Sequence, residues 1–384
     1  MSDFIYLNNA ATSWPKPPEV ARATSAALDQ LPGAANRGGI ADFDVFAALR
    51  QELATLLGVD DPARIALGAN ATWGLNLAIF GCGLKAGDKV LSTNAEHNSV
   101  LRPLHILSSE HGIKLHYLDC DSCGRIPLAS WQQALDELHP RLAVFTHASN
   151  VTGAVNDVKA LTAAAHQAGA IVLLDMAQSL GWLDAIRLAD WGVDMAAFTG
   201  HKYLLGPQGT GGLYLRPGLE LQPHLVGGTG IRSDLDTMPP EMPLHLEAGT
   251  GNEPGAWGLL AALRWATEHP LCAQRQRIEA ELSWLKQQLT ALSPSLHLID
   301  PGSPATPVLS MTIDGLVPDD VGGLLLDSYD IIVRTGLHCA PLIYSSLGVD
   351  ARLGTVRISL SRFTSHQQLL TLLEALDDVI SSEV

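Results

Sequence analysis

From Arg64 to Leu215 the chain alternates between short runs that are mostly apolar, on both faces, and longer stretches with helical periodicity. The apolar runs are 64–67, 89–92, 113–118, 142–145, 171–174, 195–198 and 212–215, and the helical stretches are 71–80, 99–111, 128–138 and 158–168. A strand with one face in water alternates apolar and polar residues, whereas a strand apolar at successive positions is covered on both faces. Strands of the second kind, separated by helices, build a mostly parallel sheet with helices on both sides, because parallel neighbours need a crossover between them. The expectation is an α/β chain around a mostly parallel seven-stranded sheet.

Beyond Glu247 the pattern changes. Helices are expected over 255–268, 274–292, 318–329 and 365–380, and strands over 308–313, 331–334 and 355–360. This is a second, smaller α+β unit, and 384 residues suffice for one large domain and one small one. Two helices, 18–31 and 41–57, precede the alternating region, set among turn formers such as Asn8-Asn9, Pro17-Pro18 and Gly38-Gly39. We expect a large domain over 14–255 and a small domain made of 1–13 and 256–384.

A formal net charge of −16 argues against binding nucleic acid, whose phosphates repel an acidic surface. No apolar stretch is long enough to span a membrane, and the first residues show no basic segment followed by an apolar one. A cytoplasmic protein is expected. The five cysteines are widely spread, and Cys120-x-x-Cys123 has no second pair at zinc-ligand spacing, which fits reduced thiols and no metal site.

In an open parallel sheet, ligands bind beyond the carboxyl ends of the strands. The residues that follow five of these strands are polar or small. After 64–67 comes the small-residue loop 68–72, ending in Thr72 at a helix start, where free N–H groups favour an anion. Later strands are followed by Glu96-His97-Asn98, by Ser149-Asn150, by Asp175-Met-Ala-Gln178, and by Thr199-Gly-His201-Lys202. Each residue alone has an ordinary reading, Asp175 as a helix cap and Lys202 as a solvated loop lysine. Together they match the parts of pyridoxal phosphate. Lys202 supplies an amine for a Schiff base, and Asp175 a carboxylate for the pyridinium nitrogen. Thr72, Thr199 and His201 suit the phosphate, His97 the ring face, and Gln178 or Asn150 the phenolic oxygen. The glycines at 206, 209 and 211 are followed by a strand instead of the helix that a dinucleotide fingerprint requires, so they read as a turn beside Lys202.

Several segments, in order, resemble one family over nearly the whole chain. They are Tyr6-Leu-Asn-Asn-Ala-Ala-Thr12, Asn36-Arg-Gly38, Glu96-His-Asn98, Ser149-Asn-Val-Thr-Gly153, Asp175-Met-Ala-Gln178, Thr199-Gly-His-Lys202, Glu247-Ala-Gly-Thr250, Val333-Arg-Thr-Gly-Leu-His-Cys-Ala-Pro341 and Val356-Arg-Ile-Ser359. The set resembles the class V aminotransferase-fold enzymes of the cysteine desulfurase and selenocysteine lyase group, in the branch with an R-x-G-x-H-C-A cysteine motif. The resemblance implies fold type I of the pyridoxal-phosphate-dependent transferases and a homodimer with shared active sites. It also implies conversion of L-cysteine to L-alanine, with sulfur left on Cys339 as a persulfide. Lys202 would bind the cofactor and shuttle the proton, with His97 stacked on the ring and assisting acid–base steps. Asp175 would face the ring nitrogen and Gln178 the phenolic oxygen, while Thr72, Thr199 and His201 hold the phosphate. Thr250 would reach the phosphate of the other subunit. Arg357 would grip the substrate carboxylate, and Ala10, Arg37 and Asn150 would line the substrate site.

Three positions depart from the family's pattern: Asn8 replaces a usual aspartate, Ala71 a common threonine, and Leu337 a frequent histidine. Cys339 read alone could be a small buried hydrophobe, but Gly336, His338 and Pro341 give it a polar, loop-like setting, and a neighbouring imidazole can favour thiolate. Arg357 lies in a strand, where an unpaired charge is costly, so a carboxylate from protein or substrate should meet it. Selenocysteine lysis, cysteine sulfinate desulfination, another C–S lysis or a transamination would use most of the same residues. So would a non-enzymatic scaffold that keeps the fold. A protein that accepts sulfur is a possible further partner.

Overall fold

A computed structural model describes residues 4–30 and 43–383. The segment 36–39, with Arg37, and the first residues of the helix expected from 41 lie outside the described residues. A two-residue strand, β1 (Ile5–Tyr6), comes first, followed by helices α1 (Pro18–Leu28) and α2 (Val45–Leu57). The central sheet has seven strands: β2 (Ile65–Gly68), β3 (Lys89–Thr93), β4 (Lys114–Leu118), β5 (Leu142–Thr146), β6 (Ile171–Asp175), β7 (Met195–Thr199) and β8 (Gly211–Leu215). Their order is β2-β8-β7-β6-β5-β3-β4. Strand β8 runs antiparallel to both β2 and β7, and the other pairings are parallel. Crossover helices join the parallel strands: α3 (Ala71–Gly81), α4 (Asn98–His111), α5 (Leu128–Leu138) and α6 (Val158–Gln167). A single turn, α7 (Leu188–Trp191), precedes β7.

Successive residues of a strand point to opposite faces, and β5 shows why its run is apolar throughout. Ala143 and Phe145 belong to one core cluster with Leu53, Trp131 and Phe198, whereas Leu142 and Val144 belong to another with Leu75, Ile79 and Leu104. Helix α8 (Glu253–Glu268) lies past the expected domain boundary, yet its Ala256, Leu259, Leu260 and Leu263 join the first of these clusters.

The rest of the chain builds a four-stranded antiparallel sheet in the order β12-β13-β10-β9, from β9 (Leu296–Ile299), β10 (Val308–Ile313), β12 (Arg334–Gly336) and β13 (Thr355–Ser359). It is covered by α9 (Cys272–Leu292), α10 (Pro318–Tyr329) and α12 (His366–Glu383), and a short α11 (Tyr344–Leu347) follows the cysteine motif. The strand expected at 331–334 is two strands. β11 (Ile331–Ile332) pairs with β1, and β12 pairs with β13, so the chain changes partners at Val333.

The N-terminal segment ties the two sheets together. Ser359 donates its N–H to Leu7 O at 2.8 Å, and Ala10 donates its N–H to Ser359 Oγ at 2.9 Å. A few residues on, Ser13 donates its N–H to His201 O at 3.0 Å, next to Lys202. Among the described residues no helix is long and apolar enough to cross a membrane, and no cluster of His, Cys, Asp and Glu could hold a metal ion.

Candidate active site

A cavity of about 220 Å³ opens at the carboxyl ends of the central strands. All five polar segments at the strand ends reach it, through Thr72 after β2, His97 after β3, Asn150 after β5, Asp175 at the end of β6 with Gln178 beyond it, and Thr199 at the end of β7 with His201 and Lys202 beyond it. From the smaller unit come Ala10, Arg334, His338 and Arg357.

The phosphate side is set by the approach of α3 to the sheet. Asn70 caps the helix by accepting the Trp73 N–H at 3.0 Å, which leaves earlier N–H groups of the first turn available for an anion. The helix can sit this low because residue 74 is glycine. A Cβ there would lie 2.7 Å from Gly212 O. Gly211 likewise allows the backbone of β8 to pass Asn70, where a Cβ would come within 2.6 Å of the Asn70 Cα. The glycine-rich segment is thus a return turn, closed by Gly206 N–H to Gly200 O at 2.8 Å and Gly200 N–H to Thr210 O at 2.8 Å.

Thr72 Oγ1 and Ser99 Oγ lie 2.7 Å apart, and Ser99 also contacts His97. His97 Nδ1 accepts the Ser99 backbone N–H at 3.0 Å, so the neutral ring carries its proton on Nε2. Burial, reinforced by the nearby Lys202 and Arg334 cations, pushes the His97 imidazole down to about 3. The ring is therefore neutral at physiological pH.

Lys202 is also pushed down, to about 8, chiefly by burial, with Asp175 opposing and Arg357 and Arg334 adding to the shift. An amine so poised holds a far larger neutral fraction near neutrality than an ordinary lysine, as a nucleophilic or proton-abstracting lysine requires. Asp175 is buried and accepts the Ala177 N–H at 2.8 Å. Burial raises its carboxyl, against that N–H and the Lys202 charge. Beside it, fully buried Glu96 accepts from Thr93 Oγ1 at 2.6 Å and from the Thr146 N–H at 3.0 Å. Burial is the main cause raising Glu96 to about 8, and Asp175 adds to it.

Several buried polar atoms here have no partner in the protein: Gln178 Oε1, Thr199 Oγ1, His201 Nδ1 and Arg357 Nε. Gln178 commits one N–H to Ala10 O at 2.9 Å. Buried polar groups are rarely left unpaired, and such a set around one cavity marks a place for a polar ligand.

Arg357 lies on β13 with 1% of its surface exposed. Its Nη1 donates to Asn150 O at 2.8 Å and its Nη2 to Asn8 Oδ1 at 3.2 Å, and no carboxylate pairs with it among the described residues. Burial first, and Arg334 second, lower its guanidinium to about 10. Arg334 is the direct cross-strand neighbour of Arg357, and its Nη2 donates to Cys339 Sγ at 3.1 Å. The thiol sits in a tight loop: His338 and Cys339 both have left-handed backbone, with φ of 48° and 60°, and Asn98 donates its N–H to Cys339 O at 2.7 Å. The imidazole expected to favour the thiolate does not carry charge. His338 is buried, contacts Thr355 Oγ1 at 2.8 Å, and is held well below the usual histidine range by burial and the two arginines. Arg334 is the cation at the sulfur instead.

Thr250 is not brought to this cavity. It is exposed and lines a separate cavity of about 500 Å³ with Arg50, Trp73 and Glu247. Arg37 lies outside the described residues. Ser99 and Arg334 line this cavity and Glu96 lies behind it, although sequence reasoning gave them no role in it, and His338, read only as a neighbour of the thiol, lines it too. For Arg334 the signal was present, since it opens the cysteine motif.

The family model for class-V aminotransferases matches residues 5–372. The chain belongs to that family. Among curated relatives of this class-V chain is a probable cysteine desulfurase of Methanothermobacter thermautotrophicus, 30% identical over 99% of this chain and 95% of the relative. Among solved structures, the apo cysteine desulfurase of Thermococcus onnurineus matches with a TM-score of 0.87 at 29% identity, covering 99% of this chain and 95% of that one. The Escherichia coli cysteine desulfurase CsdA matches with a TM-score of 0.86 at 27% identity, covering 99% and 96%.

Proposed function

We propose that this class-V chain is a pyridoxal-phosphate-dependent cysteine desulfurase. The observation that carries the reading is Cys339 bound by Arg334, which lines one cavity together with Lys202 and Arg357. The residues fit the cofactor: Thr199 Oγ1 and His201 Nδ1 lack partners on the phosphate side, and Asp175 stands in reach of the Lys202 charge. Thr72, Thr199, His201 and the start of α3 would hold the phosphate, Asp175 the ring nitrogen, Gln178 and Asn150 the phenolic oxygen, and His97 the ring face. When bound, the cofactor supplies an aldehyde for amine capture and an electron-withdrawing ring.

The chain's own groups do the rest. Arg357 receives the substrate carboxylate, with Ala10, Asn150 and Arg37 beside it. Lys202 Nζ takes the proton from the substrate's Cα and returns it. The Cys339 thiolate forms a bond to the substrate's Sγ as the Cβ–Sγ bond breaks. That electron pair stays with Cβ, which is protonated to leave L-alanine, and the sulfur remains on Cys339 as a persulfide. Arg334 Nη2 donates to Sγ and orients it for the transfer.

We also propose a homodimer in which Thr250 serves the partner's phosphate site. Its cavity shares Gly68, Ala69 and Trp73 with the loop and helix that begin the phosphate side. A separate sulfur-accepting protein, a cytoplasmic location and the two-domain division belong to the same reading, with α8 on the large unit's side of the boundary. The test is alanine and persulfide production from L-cysteine, with L-cysteine sulfinate as a parallel substrate. Cys339→Ala should lose desulfuration of cysteine, and full retention by this variant refutes the persulfide step.

A further inference from the structure

The groups that gather on the phosphate side of the cavity are neutral. Thr72 and Thr199 offer hydroxyls, the start of α3 offers N–H groups, and residue 71 is an alanine with no hydroxyl to add. His201 offers an imidazole whose Nδ1 is buried and without a partner. Burial, followed by the Lys202 and Lys16 cations, pushes that imidazole down to about 4, so it too is uncharged at neutral pH. The cations that line the cavity have other work in the proposed mechanism: Lys202 as the amine, Arg334 at the thiol and Arg357 at the carboxylate. A phosphate monoester carries a charge of about −1.5 to −2 at neutral pH, and a sheltered anion without a counter-charge is costly.

Lys16 stands behind this neutral group. Its Nζ donates to His201 O at 2.8 Å and to Ser13 Oγ at 2.7 Å, and no described carboxylate pairs with it. Burial pushes its ammonium down to about 8, which leaves it charged at neutral pH. The described residues thus give a half-buried cation two neutral oxygens and no anion. Anchoring the loop does not account for it. The His201 carbonyl has three other donors, the Ser13 N–H at 3.0 Å, Ser13 Oγ at 3.1 Å and Thr12 Oγ1 at 3.2 Å. A carbonyl oxygen has two lone pairs, so those donors hold the loop without Lys16. The charge of Lys16 bears on the His201 ring, whereas the Lys202 amine answers chiefly to burial, Asp175, Arg357 and Arg334.

We propose that Lys16 is the counter-charge of the cofactor phosphate: its ammonium, anchored on the His201 carbonyl, acts on that anion from behind the His201 ring. This rests on the part of the desulfurase reading in which His201 meets the phosphate. Lys16 is a positioning residue. It does not line the cavity, so it helps to hold the cofactor through His201 and takes no part in the sulfur chemistry.

The experiment starts from full-length holoenzymes of wild type, Lys16→Met and Lys16→Arg, strips the cofactor, and measures rebinding of pyridoxal phosphate and, separately, of pyridoxal, which lacks the phosphate. Absorbance of the bound ligand is the readout, and no turnover is needed. Lys16→Met keeps the aliphatic stem and loses the charge. Its affinity for pyridoxal phosphate should fall by about tenfold, the order of one partly screened charge interaction, and its affinity for pyridoxal by less than about threefold. Lys16→Arg should bind pyridoxal phosphate within about threefold of wild type. If Lys16→Met does not fold, Lys16→Gln, which can still donate to His201 O, takes its place under the same expectations. Wild type that takes up no pyridoxal phosphate overturns the cofactor assignment and this proposal with it. Uptake by wild type beside an unweakened neutral variant overturns the role of Lys16 and leaves the desulfurase reading standing. Equal weakening toward both ligands overturns it too, because Lys16 is then a prop for the loop, and so does a Lys16→Arg variant as weak as the neutral one.

Discussion

Replacing Arg334 with methionine tests whether the thiol is tuned by its neighbour in β12. The substitution keeps the aliphatic stem and removes the guanidinium that donates to Cys339 Sγ at 3.1 Å. A hydrogen bond to a charged partner contributes about 1.5–3 kcal/mol when sheltered from water, and a half-buried arginine sits at the lower end of that range. A loss of about 1.5 kcal/mol of interaction with the sulfur corresponds to about a tenfold slower reaction of that sulfur. The assay is the rate of iodoacetamide labelling of Cys339 at pH 7, read by peptide mass spectrometry, with exposed Cys272 as the internal reference. Cys339 labelling should slow by about tenfold while Cys272 is unchanged. Stability should not fall in step. Arg334 faces Arg357 across the strands, so its removal relieves a like-charge contact that costs about 0.2–1 kcal/mol. Unchanged Cys339 labelling, or slowing accompanied by a matching drop in Tm, refutes the assignment.

Glu96→Gln should be more stable than wild type by an amount that grows with pH. The folded carboxyl is raised to about 8, so between its ordinary range and pH 8 the folded chain holds a proton that the unfolded chain has released, and wild-type stability falls as pH rises. The glutamine lacks that penalty, and the Tm difference should widen from about pH 5 to 8 and then level off. A pH-independent difference refutes the buried-acid account. Gly74→Ala should reverse the usual helix rule. Alanine normally gains about 1 kcal/mol inside a helix, but here its Cβ lies 2.7 Å from Gly212 O and 3.2 Å from Ala197 Cβ, and overpacking costs about 1–3 kcal/mol. Thermal melts should show destabilisation, and cofactor release should be faster because the start of α3 is displaced. A more stable variant with unchanged release refutes that packing argument.

The central sheet was legible because its signal is physical and repeated. Runs such as Val172-Leu-Leu174 must be covered on both faces, and several in succession leave few alternatives to a crossover sheet. The polar residues at the strand ends were legible for the same reason, since topology places them on one edge before any side chain is positioned. What stayed hidden depended on contacts distant in sequence. Strand β1 has two residues, too few for any periodicity, and exists only because Ile331 and Ile332 pair with it. The break at Val333 reflects a change of pairing partner that leaves no mark in composition. Glu96 was visible as a residue but not as a buried acid, because its environment is made by Thr146 on another strand. The charge at Cys339 was sought in its sequence neighbour His338, and it comes from Arg334 through a turn of the loop.

The stitching of the first residues to the last strand has a consequence for how the protein is made. The hydrogen bonds from Asn9 and Ala10 to Ser359 link positions about as far apart as the chain permits. On a ribosome that releases residues in order, segment 5–13 emerges before the central sheet and can take its place only when β13, some 350 residues later, has been synthesised. The α/β sheet can assemble early, but the arginine end of the cavity cannot. A chain truncated or stalled before β13 therefore carries Lys202 and Asp175 without Arg357, and the cavity is complete only once β13 has been made.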